Sequence, residues 1–326
     1  MFGFGQRAGP RIFGAALIFA LLIGVGQAAN GLAPRLGASG ESTTRTGPQD
    51  SFVAARAAAR LHRLSRDEQE RLVGVVKMAG SAAERGYLTK AIAAGHAPVI
   101  IERFAARIRG KDAVWLRNHL RLTSSDKGLG IRQQWKHSCG PTTVMAFLGE
   151  LDPLYAERVH AENPNFYLLD ELNPTRYNPR LAAEQKRLLE KNTNHEKGGK
   201  AAPRGGKAGK GRWSLDLLNE HTARTGLRFS WKPIGAGFSV ADALRTIEAL
   251  VARGVPVPIV VAAEKNKHCV LITAVWHKDG HTGFNVHDPW TGRTLRRSAE
   301  QFITGRLNIA SNQRFHGVYL PTLLPL

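Results

Sequence analysis

The sequence predicts an α+β fold, and three observations predict it. A helix begins at Cys139-Gly140-Pro141, two runs of branched residues with strand character lie more than a hundred residues further on, and helical periodicity fills the stretch that precedes both.

Residues 1–28 carry Arg7 and Arg11, an apolar run from Ile12 to Gly26 and a small-residue exit at Gly26-Gln27-Ala28, which is the pattern of a secretory signal peptide cleaved after Ala28. The uncharged window from Ile12 to Pro34 is also long enough to stay as a membrane anchor, although its Gly and Ala stand where a stable span uses bulky residues. Either outcome places the protein outside the cytoplasm, periplasmic or secreted. Residues 29–50, rich in Gly, Ser, Thr and Pro, read as a flexible linker.

Residues 51–127 form a helical accessory region. Ser65-Arg66-Asp67-Glu68 is a capping box, with Leu72, Val75, Val76 and Ala79 as the apolar face behind it. Further helices are expected over Ile100 to Arg109 and Ala113 to Leu122. The region reads as an inhibitory pro-segment, a substrate-docking domain or an extension packed on the catalytic fold, the last ranked first because no processing site is evident between Leu122 and Gln133.

The remaining unit, 128–326, carries the chemistry. From Cys139 onward Val144, Phe147, Leu148 and Leu151 recur on one helical face, and Pro141 suits a first turn, so Cys139 sits at a helix N-terminus. There the partial positive charge of the unpaired N–H groups favours thiolate over thiol. Lys186 to Arg212 holds nine basic and two acidic residues with repeated Gly-Lys pairs, and cannot bury enough apolar surface to fold. A disordered basic insertion is expected at about 190–212, and the Gly-Lys spacing excludes a phosphate-binding P-loop. Residues Phe166 to Arg180, bounded by Asn-Pro pairs, are expected to be an irregular loop.

Two strands follow, over Gly254 to Ala263 and His268 to Trp276, and alternation puts His268, Val270, Ile272 and Ala274 on one face. Cys269, Leu271, Thr273 and Val275 fall on the other, so that Cys269 is expected to face away from Cys139 whenever His268 faces it. Lys278-Asp279-Gly280 signals a tight turn, and Gly283 to Asp288 returns as the second strand of a hairpin. The return brings Asp288 near His268, with Asn285 and His287 as rivals for the same role.

A cysteine nucleophile needs a base, a group that orients the base, and donors for the oxyanion. Cys139, His268 and Asp288 supply the nucleophile, the base and the orienting group. Gln133, six residues before Cys139, can reach back beside the sulfur and join the Cys139 N–H in an oxyanion hole. His137 is a rival base, but its place two residues before Cys139 suits in-line proton transfer poorly. His277, His281 and His287 with Asp279 and Asp288 show no established metal-ligand spacing, so neither a metal nor a cofactor is expected.

On Gln133, the Cys139-Gly140-Pro141-Thr142 helix start, the His268-Cys269-Val270-Leu271-Ile272-Thr273 strand and Asn285-Val286-His287-Asp288-Pro289-Trp290, the chain resembles the C39-like branch of papain-like cysteine peptidases. The resemblance covers about Gly128 to Leu326. It implies a papain-like α+β fold, with the Cys on a helix and the His and Asp on an antiparallel sheet, a Cys–His–Asp triad, and a glutamine in the oxyanion hole. Ser138 departs from the pattern, since members that trim bacteriocin leaders tend to carry an acidic residue there. Cys139 to Asn165 also looks like papain-like domains at the ends of bacterial polymorphic toxins, which implies a toxin effector.

The expected function is therefore an exported cysteine peptidase acting on a protein or peptide substrate. Alternatives are a peptidoglycan-peptide amidase or transpeptidase, a deamidating toxin with the same triad, and a non-catalytic papain-like binding module. The net charge is +20, or +18 without Arg7 and Arg11. Such an excess admits an anionic surface, membrane or cell wall, as a further partner, although arginines spread along the chain also arise from composition alone. Nucleic acid is not an expected partner, because no aromatic-interleaved basic motif is present.

Overall fold

Five helices lead the described chain: α1 (Ser51–Leu61), α2 (Arg66–Lys77), α3 (Ala82–Ala93), α4 (Pro98–Ile108) and α5 (Ala113–His119). The computed structural model describes residues 51–123, 130–134, 138–162, 179–193, 212–235, 237–264, 266–311 and 314–323. The expected signal peptide and linker, most of the basic insertion, His137 and nearly all of the expected loop at 166–180 lie outside them.

The capping box opens α2 as its residues require. Ser65 Oγ accepts the Glu68 N–H and Glu68 Oε2 accepts the Ser65 N–H at 3.0 Å. Pro98 starts α4, and Asp112 caps α5 by accepting the Trp115 N–H at 2.7 Å. The last of these helices ends at His119 rather than Leu122. Leu122 is already engaged elsewhere, its carbonyl accepting the Ile131 N–H at 2.8 Å. Helix α3 leaves no periodic stripe in the sequence, because its buried residues Glu84, Leu88, Thr89, Ala91, Ile92 and Ala93 wrap around it.

Among the described residues four more helices follow, α6 (Cys139–Leu151), α7 (Pro153–Glu162), α8 (Pro179–Thr193) and α9 (Arg212–Thr222), and a 3₁₀ turn at Ala223–Thr225. Helix α8 continues through residues 190–193, the beginning of the span assigned to the insertion. Its buried Leu181, Ala182, Gln185 and Leu188 recur at helical spacing, and that face carries the helix past the first basic residues.

The rest is a sheet with two helices between its strands: β1 (Leu227–Pro233), α10 (Val240–Ala252), β2 (Val257–Ala262), β3 (Lys267–Lys278), β4 (His281–Asp288), β5 (Arg293–Ser298), α11 (Ala299–Ile303) and β6 (Arg314–Leu323). The six strands lie in the order β1-β6-β2-β3-β4-β5, and every pair is antiparallel. The chain is thus α+β. Asp279 and Gly280 turn the β3–β4 hairpin, both at positive φ of 49° and 76°, which is the left-handed pair that a two-residue turn needs.

Alternation along β3 divides two cores. Cys269 and Leu271 join α6 and the leading helices on one side of the sheet, while Val270 and Ile272 join Ala243, Leu244, Ile247 and Val251 of α10 on the other. The expected alternation fails beyond Ile272. Ile272 pairs with Val286 and Ala274 with Asn285, so Thr273 is an extra residue, and this bulge puts Val275 on the Ile272 face. The first core runs without a break from Phe52 and Leu61 in α1 through Phe104 in α4 to Val144 and Phe147 in α6. Among the described residues no helix is long and apolar enough to cross a membrane.

Candidate active site

Helix α6 starts at Cys139, and Ser138 before it makes no side-chain cap. The N–H groups of the first turn therefore remain available to whatever lies at the helix end. The sulfur takes the Gly140 and Cys269 backbone N–H groups and shares a hydrogen bond with the His268 ring. Thr142 and the Ser138 carbonyl fix this turn, through the Thr142 N–H at 3.0 Å and its hydroxyl at 2.7 Å.

His268 enters from the second residue of β3. Its Nε2–H donates to Asp288 Oδ1 at 2.6 Å, which leaves Nδ1 for the thiol. Asp288 ends β4 and accepts two further bonds, from the Trp290 N–H at 2.9 Å on Oδ1 and from the Thr291 hydroxyl at 2.9 Å on Oδ2. The Gly292 N–H closes this turn on the Asp288 carbonyl at 2.7 Å. A carboxylate so held keeps one orientation and directs the imidazole.

The electrostatics follow from this contact chain. Burial works against the Cys139 thiolate, but the His268 hydrogen bond and charge, with the two N–H groups, outweigh it and bring the thiol below its ordinary value. Burial likewise works against a charged His268, yet Asp288 and Cys139 push the imidazole up to about 9. Asp288 resists its own burial through His268 and the Trp290 and Thr291 donors, and stays below the usual carboxylate range. All three act in one direction, toward a thiolate–imidazolium pair beside an ionised carboxylate.

Gln133 is tied by its backbone to the turn that follows Asp288. Its N–H donates to the Pro289 carbonyl at 2.8 Å, and the Gly130 N–H donates to Gly292 at 2.5 Å, so the strap 130–134 lies along the turn that follows Asp288. The approach is close enough to demand glycine at both ends. A Cβ on Gly130 would stand 2.5 Å from the Leu122 carbonyl oxygen, and one on Gly292, at φ +72°, would stand 2.8 Å from the Gly130 carbonyl oxygen.

Of the rivals to Asp288, His287 faces the opposite side of β4 and donates Nδ1–H to the Thr123 carbonyl at 3.1 Å, fully buried. Asn285 pairs with Ala274 across the hairpin, and its carbonyl accepts the Thr273 hydroxyl. His137, the rival base, is outside the described residues. Among the described residues no group of three or more His, Cys, Asp or Glu is placed to hold a metal ion.

One sequence expectation needs correcting. Cys269 does not face away from Cys139: its thiol lies against the Thr143 hydroxyl, one turn along α6, and both cysteines belong to the same core while remaining free. Pleat alternation separates faces within a strand, but the Cys139 sulfur meets β3 at the 268–269 peptide and touches neighbours of both faces. The Cys269 thiol is nonetheless inert, since burial and the nearby Cys139 thiolate push it far up.

Sequence reasoning missed Gln185. This fully buried residue of α8 bonds to Arg132, Gln134 and Ser138. Its one visible signal is a polar residue in the apolar stripe of Leu181, Ala182 and Leu188. No known family model matches the chain, and no curated protein matches it.

Proposed function

We propose that this chain is an exported papain-like cysteine peptidase, C39-like in its motifs, that hydrolyses peptide bonds of protein or peptide substrates. The observation that carries the proposal is the unbroken relay from a helix-terminal thiol through His268 to Asp288, with the His268–Asp288 bond at 2.6 Å.

The Cys139 thiolate adds to the scissile carbonyl carbon, and the C=O electron pair moves to oxygen. The Cys139 N–H and the Gln133 amide receive that oxyanion. As it collapses, the C–N bond breaks, and the His268 imidazolium gives its proton to the departing amine, leaving a thioester on Cys139. Water then attacks the thioester and gives its proton to His268. The C–S bond breaks, the acid product leaves, and the thiolate–imidazolium pair is restored. Asp288 keeps the ring in the tautomer that both proton transfers need.

The test is iodoacetamide at pH 6 with mass mapping of both cysteines, alongside hydrolysis of labelled casein. Rapid labelling of Cys139 alone, lost in a His268→Ala variant, and casein hydrolysis lost in a folded Cys139→Ala variant are the expected results. Equal, slow labelling of both thiols would overturn the assignment and favour a binding module.

A further inference from the structure

Gln185 commits one buried side-chain amide to three groups around Gln133. Its Nε2 donates to the Arg132 carbonyl at 2.9 Å, and its Oε1 accepts the Gln134 N–H at 2.8 Å and the Ser138 hydroxyl at 2.8 Å. The partners dictate which end of the amide is which, since a carbonyl needs a donor and a backbone N–H an acceptor. The peptide units before and after Gln133 are therefore gripped by the same planar group. Gln133 itself is held from the other side, by its N–H on Pro289.

An amide in such a place is costly to bury unless its bonds are made, and the same helical face otherwise carries Leu181, Ala182 and Leu188. A leucine at 185 would suit packing alone. We infer that Gln185 is a positioning residue, which clamps the strap 132–134 so that the Gln133 amide is fixed for the oxyanion formed at Cys139. The inference rests on the peptidase reading for its catalytic meaning, while the clamp itself is a property of the fold. Its bond beside the thiol is to the Ser138 hydroxyl alone, and the backbone of that turn is held separately by Thr142 on the Ser138 carbonyl, so the thiol keeps its own supports when Gln185 is changed.

The experiment compares wild type with Gln185→Leu, Gln185→Glu, Gln133→Ala and the Gln133→Ala/Gln185→Leu double variant. Casein hydrolysis, iodoacetamide labelling of Cys139 and hydrogen exchange at the Gln134 amide are the three readouts. Losing one oxyanion donor costs about 10²–10³ in turnover, and loosening it by Gln185→Leu is expected to cost roughly tenfold or more in kcat with KM little changed. The double variant should be no worse than Gln133→Ala, because two changes that remove one function do not add. Iodoacetamide forms no oxyanion, so Cys139 labelling should stay within about threefold of wild type.

The Gln185→Glu variant adds a signature that mere packing would not give. Its buried carboxyl accepts but cannot donate to Arg132 while ionised, and regains the donor when protonated, so its turnover relative to wild type should rise as pH falls. Additive loss in the double variant, labelling that falls in step with turnover, or unchanged exchange at Gln134 in Gln185→Leu would overturn the inference. A wild-type protein inert to both casein and iodoacetamide would instead overturn the peptidase reading and with it the catalytic role. In that case, faster Gln134 exchange in Gln185→Leu supports the clamp, and unchanged exchange removes it.

Discussion

His268 and Asp288 are bonded at 2.6 Å across the mouth of the β3–β4 hairpin, although they are not cross-strand partners. The register pairs Leu271 with His287, so the bond runs diagonally beyond the last paired residues. The hairpin thus sets the distance between strands, and the turn from Asp288 to Gly292 sets the angle of the carboxylate. Asp288→Asn preserves that shape but removes the charge that helps hold His268 at about 9. The imidazolium then loses its proton nearer its ordinary value, and the thiolate fraction at pH 6 falls. Cys139 labelling by iodoacetamide at pH 6 should slow by at least about tenfold, and casein turnover by roughly 10²–10⁴. Below about 9, where His268 keeps its proton, wild-type labelling should depend less steeply on pH than that of the variant.

Cys269 offers the opposite expectation. It shares a core with Cys139 but is sealed by burial with its thiol pushed up, so it contributes packing and no chemistry. Cys269→Ala should keep casein turnover within about twofold and lower stability by about 1 kcal/mol, the scale of a small buried group. Urea unfolding and turnover on one preparation check both. A large loss of turnover would mean that the Cys269 side chain, and not only its N–H, supports the reacting sulfur.

Both outcomes bear on what could be read before the fold was known. The Cys139 helix, the Ser65 capping box and the Asp279-Gly280 hairpin turn were legible because each rests on local chemistry within a few residues. The hairpin in turn made the approach of Asp288 to His268 legible. What escaped is non-local. The place of β6 between β1 and β2 leaves no mark on either segment, and the Thr273 bulge is one residue in a run of otherwise regular alternation. Gln185 shows only as a polar residue in an apolar stripe, and its partners leave no mark for a related reason: two of the three are backbone atoms, which almost any sequence at 132 and 134 would supply.

The link between the leading helices and α6 makes a stability prediction. Arg121 and Glu150 are both buried, with Nη2 and Oε1 at 2.8 Å, and the Thr123 hydroxyl donates to the same carboxylate. Breaking a buried pair from one side leaves the other charge uncompensated, at a cost of about 3–5 kcal/mol. Glu150→Gln should lower the urea midpoint accordingly. Glu70→Ala, which removes the exposed partner of Arg66, should leave the midpoint where it is. Equal, small effects of the two variants would show that Arg121 finds another acceptor when Glu150 is neutral.

Acid should destabilise the fold through two buried histidines that bond to the same segment, 121–123. His287 donates to the Thr123 carbonyl at 3.1 Å and His160 Nε2 donates to the Arg121 carbonyl at 2.8 Å. Burial holds both imidazoles neutral and lowers each from 6.5 to about 4. The unfolded chain binds these protons first, so stability is complete above pH 6.5 and is lost as pH falls toward 4, by roughly 3 kcal/mol for each group. His268 has the opposite sign, its contribution being complete below 6.5 and lost as pH rises through about 9. Urea midpoints measured from pH 4 to 7 should therefore rise with pH. In His287→Asn, whose amide can still donate to Thr123 but does not titrate, the midpoint should be lower at pH 7 and its rise shallower by about half. A rise as steep as that of wild type would place the acid sensitivity elsewhere and show that His287 is not forced to stay neutral by the fold.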